Sequence, residues 1–303
     1  MVVPVEDVEL LLDGPWRHRF VTARGVRFHV AEAGEGPLVL LLHGFPQNWW
    51  CWRHQLVALA DAGYRAVAPD LKGYGATDKP PRGYDAPTAA DDVAGLVRAL
   101  GEQDAVVVGH DWGGFVAWTL AALHPGVVRR LGVVDMPHPL ALRRALLTDP
   151  AQLRASSYVG GFQVPRRAEA DLLADDAAQV GELLRRWSAP GWPSAEEERF
   201  YRRALQVRDA AHCSLEWYRW AVRSLVRPDG LRYARDLARR PARGPVLQLH
   251  GAMDGALLER TARASGRWVD GEHRFRLVED AGHFLAEERP ALVADEVVAL
   301  AGS

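Results

Sequence analysis

Between an apolar run, Ala105-Val106-Val107-Val108, and a segment with helical character, the chain reads Gly109-His110-Asp111-Trp112-Gly113-Gly114. Small residues around one reactive side chain at a strand-to-helix corner form the pattern of a nucleophile elbow. There the backbone turns sharply and lifts that side chain over the end of a sheet. Such a corner needs a strand behind it and a helix ahead of it, which constrains the fold before anything else is read. The side chain is Asp111. A serine must lose its proton before it attacks, whereas carboxylates, with an ordinary pKa of about 3.9, are anions at neutral pH. The residue type points to attack on an electrophilic carbon with formation of an alkyl ester, not to ordinary ester hydrolysis. The alternative is a glycine-rich turn whose aspartate caps a helix.

The surrounding pattern supplies the strands and helices. Two alternating segments, Arg17–Thr22 and Val26–Ala33, flank the turn Ala23-Arg24-Gly25 and predict a hairpin. The run 37–42 is apolar throughout, as in a strand buried on both faces, and it leads into His43-Gly44-Phe45-Pro46. A helix with Trp52, Leu56, Leu59 and Ala60 on one side follows, then strand Tyr64–Pro69 and the glycine-rich loop 70–75. Helix Thr88–Leu100, strand Ala105–Val108, helix Gly114–His124 and strand Val127–Asp135 continue the alternation. This order predicts a parallel sheet covered on both faces, with ligands at the carboxyl ends of its strands. The His43 loop, the Asp70 loop and Asp111 all fall at those ends.

From about Leu140 to Ala238 the periodicity is helical and no buried strand is legible; Glu196–Val207 and Leu215–Val226 are the clearest helices. Alternation resumes with strand Pro245–His250, helix Leu257–Ser265, strand His273–Val278 and a final helix from about Leu285. The expected architecture is an α/β, doubly wound, mostly parallel sheet formed by residues 1–137 and 239–303. A helical cap, 138–238, would cover its site, because both ends of the insertion return to one sheet edge.

The 303 residues suffice for one large α/β domain with such an insertion. A formal net charge of −2 offers no electrostatic attraction for nucleic acid or a membrane surface. Cys51 and Cys213 are too few for a disulfide framework. Met1 to Asp13 lacks a basic segment, and Leu10-Leu11-Leu12 is too short for a signal peptide core. No apolar stretch approaches membrane-spanning length, so a cytoplasmic location is the expectation. Oligomeric state is not legible.

An ester on Asp111 must be cleared by water, and that step needs a base, usually histidine. Of eleven histidines, His283 is best placed, since it follows strand His273–Val278 and reaches the same sheet end as Asp111. A third group should orient the imidazole and stabilise its charge. Asp254, just past strand Pro245–His250, completes the chain order nucleophile, acid, base; Asp135, ending the strand before the insertion, competes with it. Asp280 lies too close to His283 along one loop. Backbone N–H groups of Phe45 and Trp112 are the candidate oxyanion donors. A proton donor for the leaving oxygen is still required, and a phenol can serve. Tyr158 and Tyr218 lie in the insertion, although Leu215, Tyr218, Val222 and Leu225 also form an apolar helical stripe that core packing alone would explain. Phe45, Trp112 and Phe284 promise an apolar, aromatic-lined pocket for substrate.

Together these residues resemble the epoxide hydrolases of the α/β-hydrolase fold. The resemblance rests on His43-Gly44-Phe45-Pro46-Gln47, Trp52-Arg53, 70–75, 109–114, Trp217-Tyr218-Arg219 and Gly282-His283-Phe284. It implies Asp111 as nucleophile, His283 as base, Asp254 as its orienting acid, and Tyr158 and Tyr218 as the tyrosines that activate the epoxide. It implies a small hydrophobic epoxide and water as reactants, with no metal or organic cofactor. A dehalogenase shares the aspartate nucleophile, but a frequent second halide donor in the His-Gly-x-Pro loop is asparagine, and this chain has Phe45 there. Trp187 or Trp192 would have to compensate. A non-catalytic receptor on the same fold is the remaining reading.

Overall fold

The computed structural model describes residues 5–303, so the part of the leader reading that falls on residues 1–4 lies outside them. Among the described residues there are ten strands, in chain order β1 (Arg17–Ala23), β2 (Val26–Ala33), β3 (Leu38–Leu42), β4 (Arg65–Pro69), β5 (Ala105–His110), β6 (Val128–Val134), β7 (Ala242–Arg243), β8 (Val246–Gly251), β9 (Val269–Asp270) and β10 (His273–Val278). Eight of them form one sheet in the order β1-β2-β4-β3-β5-β6-β8-β10. Pairing is antiparallel for β1 with β2 and for β2 with β4, and parallel everywhere else. The remaining strands, β7 and β9, pair only with each other.

Burial follows position in the sheet. Every residue of β3, β5 and β8 is buried, whereas the edge strand β10 alternates between exposed and half-buried positions until Val278. The core helices are α1 (Arg53–Asp61), α2 (Ala86–Ala99) and α3 (Trp112–Leu123). Helix α3 is buried along nearly all of its length, which explains its all-round apolar sequence.

Between β6 and β7 every element is helical: α4 (Pro139–Thr148), α5 (Pro150–Ala155), α6 (Tyr158–Gly161), α7 (Arg167–Trp187), α8 (Ala195–Gln206), α9 (Ala210–Ser224) and α10 (Pro228–Arg239). Helix α7 is broken at Ala174–Ala177, where Asp175, Asp176 and Ala177 take left-handed backbone angles. The last elements are α11 (Glu259–Arg263), α12 (Leu285–Glu288) and α13 (Pro290–Gly302).

Several expected boundaries shift by a few residues, and three of the shifts have a clear local reason. Helix α3 begins at Trp112 because the glycines of the elbow belong to its first turn. Helix α9 starts five residues before Leu215, where Ala210-Ala211 and polar neighbours show no bulky apolar period. The final helix is two helices, because Pro290 has no N–H and forces Arg289 out of helical geometry (φ −137°, ψ 60°). Among the described residues no helix is long and apolar enough to cross a membrane. Cys51 and Cys213 are buried free thiols.

Because β3 to β10 run parallel within the main sheet, the loops after β3, β4, β5, β6, β8 and β10 all emerge along one edge. Asp111, Asp135, Asp254 and His283 are thereby gathered from four separate stretches of chain.

Candidate active site

Asp111 sits in the corner between β5 and α3 with φ 47° and ψ −120°, a left-handed conformation that a residue with a Cβ adopts only under constraint. The constraint is close backbone packing. A Cβ on Gly109 would lie 2.2 Å from the Gly113 carbonyl oxygen, and one on Gly113 would lie 2.2 Å from that of Leu42. Only glycine fits either place, so the strand can fold back onto its own helix and expose the carboxylate.

The loop after β3 reaches the same carboxylate. Phe45 N–H donates to Asp111 Oδ1 at 2.8 Å. A Cβ on Gly44 would meet that oxygen at 2.4 Å, so the glycine is what allows the approach. The Phe45–Pro46 peptide is cis. The second expected donor, Trp112 N–H, makes no hydrogen bond to either carboxylate oxygen here. The ring of Phe45 packs edge-on against Phe162 and Tyr218.

His283 is fully buried. Its Nδ1 is 2.8 Å from Asp254 Oδ2, and its Nε2 is 3.6 Å from Asp111 Oδ2 with no hydrogen-bond partner. Asp254 Oδ1 accepts from the N–H groups of Ala256 and Leu257 at 2.7 and 2.9 Å. Burial pushes the Asp254 pKa up, but the adjacent His283 and these hydrogen bonds outweigh it and hold the carboxyl below its ordinary value. Burial alone would lower the pKa of His283; the carboxylates of Asp254 and Asp111 overcome this and raise it well above the ordinary value.

Asp135 occupies a different place from the one its competing role required. Its oxygens accept from Gly251 N–H at 2.8 Å and Leu285 N–H at 3.1 Å, tying the ends of β6 and β8 to the start of α12. Burial, reinforced by the charge of Asp254, raises its pKa well above the carboxylate range. Asp280 pairs with Arg289 at 2.6 Å, away from the imidazole. Asp135, His250 and Asp254 offer ligand atoms within 4.8 Å of one another. Both carboxylates are already committed to backbone N–H groups or to His283, so the trio is better described as a hydrogen-bonded support than as a cation cage.

A cavity of about 450 Å³ opens over Asp111 and is lined by Trp112, Phe115, Tyr158 and Tyr218 together with aliphatic side chains of α4, α5 and α9. The two tyrosine rings lie 6.0 Å apart, and the Tyr218 ring stands edge-on to Trp112 at 5.0 Å. The pKa of Tyr158 is raised, first by burial and then by the charge of Asp111. That of Tyr218 is raised by burial, by Tyr158 and by Asp111. Both phenols therefore keep their protons at neutral pH. Of the three residues expected to line the pocket only Trp112 does; Phe45 packs against Phe162 and Tyr218, and Phe284 packs beside His283 against Trp187 and Trp192.

Two adjacent acids that the sequence reading passed over are buried beside the histidine loop, and one of them holds it. Glu288 accepts from Gly282 N–H and Phe284 N–H, at 2.8 and 2.9 Å, and so grips the residues on both sides of His283. It also accepts from Ala189 N–H of the helical insertion at 2.8 Å. Its neighbour Glu287 is fully occupied by Arg53, Tyr201 and Gln47. Two adjacent acids four and five residues after His283, closing the short helix Leu285–Glu288, were the available signal.

The alpha/beta hydrolase fold family matches residues 37–290 of this chain. An AB hydrolase superfamily protein of Bacillus subtilis is 35% identical over 91% of this chain and 94% of its own length. Epoxide hydrolase A of Mycobacterium tuberculosis is 34% identical with the same two coverages, 91% and 94%. Among solved structures, epoxide hydrolase A from Mycobacterium thermoresistibile superposes with a TM-score of 0.79 at 30% identity, covering 94% of this chain and 98% of that one.

Proposed function

Because the chain belongs to the α/β-hydrolase superfamily, in the group of its epoxide hydrolases, we propose that it hydrolyses an epoxide to a vicinal diol through an ester on Asp111. One observation carries the mechanism. The two oxygens of Asp111 have different neighbours: Oδ1 is held by Phe45 N–H, and Oδ2 faces the unpartnered His283 Nε2. A carboxylate anchored by one oxygen presents the other as nucleophile.

Oδ2 attacks a ring carbon; the carbon–oxygen bond of the ring breaks, and the departing oxygen takes a proton from Tyr158 or Tyr218. Oδ1 becomes the carbonyl oxygen of the ester. Water then adds to the ester carbon, giving its proton to His283 Nε2, while charge builds on Oδ1 against Phe45 N–H. Collapse of this intermediate breaks the bond between the carboxyl carbon and Oδ2, His283 returns a proton to the diol oxygen, and the regenerated Asp111 carboxyl gives its own proton to His283. Ester formation removes one of the two negative charges that hold the proton on His283, so the imidazole gives up that proton, which restores the tyrosine to its phenol form, and is a free base when a base is required. Asp254 keeps the imidazole oriented. The helices between 138 and 238 act as a cap that carries both tyrosines and excludes bulk water.

The oxygen balance provides the test. A single turnover in heavy-oxygen water should leave label in the Asp111 carboxylate and unlabelled diol. Label arriving directly in the diol would refute the covalent route. His283→Gln should accumulate the ester, because attack survives while hydrolysis fails. A dehalogenase would need a second halide donor, and neither Trp187 nor Trp192 lines the cavity. Halide release assayed beside diol formation separates the two.

A further inference from the structure

We infer that the preferred substrate is an epoxide on an extended, uncharged aliphatic chain, and that the site selects against the same chain ending in a carboxylate; this rests on the epoxide hydrolase reading above. The cavity is directional. Its inner end is made by Asp111 and Tyr218, which are 5% and 4% exposed. Its outer end is made by Leu147, Leu153 and Val222, which are 75%, 56% and 38% exposed. Between the two, Leu142, Leu146 and Leu225 supply the walls from α4 and the end of α9. A volume of about 450 Å³ gives room for on the order of fifteen water-sized groups, far more than an oxirane alone fills.

The polarity of the walls sets the chemical class. Among the described residues lining the cavity there is no lysine, arginine or histidine, and the one charged side chain is Asp111. Arg143, on the same helix as Leu142 and Leu146, lines an adjoining cavity instead and donates to the Leu225 carbonyl at 3.0 Å. A carboxylate at the end of such a chain would lose water against these aliphatic walls with no cation to receive it, along a path whose inner end already holds an anion. An alkyl chain in the same place exchanges water for leucine and valine. Burying one methylene is worth on the order of fourfold in binding. Three exposed aliphatic side chains at the mouth continue that surface outward.

Three probes test this: 1,2-epoxybutane, 1,2-epoxyoctane and 7,8-epoxyoctanoate. We expect kcat/KM to rise at least tenfold from the four-carbon to the eight-carbon alkyl epoxide, chiefly through KM. The eight-carbon carboxylate should fall at least tenfold below its uncharged counterpart. Leu147→Arg, at the exposed mouth, should narrow that gap several-fold. Equal kcat/KM for 1,2-epoxybutane and 1,2-epoxyoctane, or parity between the two eight-carbon substrates, overturns the inference while leaving epoxide hydrolysis intact. A gap that Leu147→Arg leaves unchanged removes the mouth from the substrate path and overturns it as well. Failure to open all three epoxides refutes the underlying activity, and the inference with it.

Discussion

At the scale of single residues, the site depends on charges held close together in a dry place. His283 has a carboxylate on each ring nitrogen's side, Asp254 at 2.8 Å and Asp111 at 3.6 Å, and both favour its protonated form. Neutralising Asp111 should therefore lower the His283 pKa. In Asp111→Asn the imidazole, followed by NMR titration, should lose its proton at a pH at least one unit below that of the unaltered protein. An unchanged titration would mean that Asp111 does not control the base. The same logic predicts that ester hydrolysis stays active to lower pH than the free enzyme's protonated histidine would allow. Phe45 shows how a residue is used through its backbone: the N–H acts on Asp111 while the ring packs into aromatic neighbours.

At the scale of elements, loops from separate strand ends must be locked in register. Glu288, in the first turns after β10, locks the His283 loop by accepting three backbone N–H groups, one of them from the segment following α7. Removing the carboxylate strands buried donors, each worth about 1–3 kcal/mol. Glu288→Ala should lower stability by a few kcal/mol. It should slow ester hydrolysis far more than ester formation, because in the proposed mechanism only the second step uses His283. Rapid-quench kinetics would show a persistent burst with a reduced steady rate, partly rescued in Glu288→Gln. Equal slowing of both steps would reduce Glu288 to a purely structural part. The elbow obeys the same rule: strand, corner and helix interlock because Gly109 and Gly113 leave no atoms in the way.

At the scale of the whole molecule, the sheet and the helical insertion are joined by buried charge. Glu287 of α12 meets Arg53 of α1, Tyr201 of α8 and Gln47 of the loop that also carries Phe45. Burial raises its pKa from 4.5 to about 7, against the opposing pull of Arg53 and Tyr201. A carboxyl with a raised folded-state pKa contributes stability below its unfolded value of 4.5 and loses that contribution as pH climbs through about 7. Melting temperature should therefore fall between pH 5 and pH 7.5 more steeply in the unaltered protein than in Glu287→Gln, where the group cannot ionise. Parallel pH profiles for the two proteins would assign the slope elsewhere. Because Glu287 touches both layers, the same titration should also be visible in the rate of proteolysis within the helical insertion.

The sequence by itself determined the features that depend on neighbouring residues. Alternating strand and helix periods and the glycines of the 109–114 corner are local in character, and the chain order of acid and histidine candidates at strand ends is read directly from them. They specified a parallel sheet and a reactive edge. The choice between Asp254 and Asp135 was beyond local reading, because both follow strand ends on that edge; packing put one against the imidazole and the other against Gly251 and Leu285. The partners of Glu287 and Glu288 lie up to 240 residues away in the chain. The aliphatic corridor from Asp111 to Leu147 is assembled from helices that only tertiary contact aligns. No periodicity encodes such distances: a turn or a strand is decided by the residues within it, whereas a cavity is decided by what the folded backbone brings to its walls.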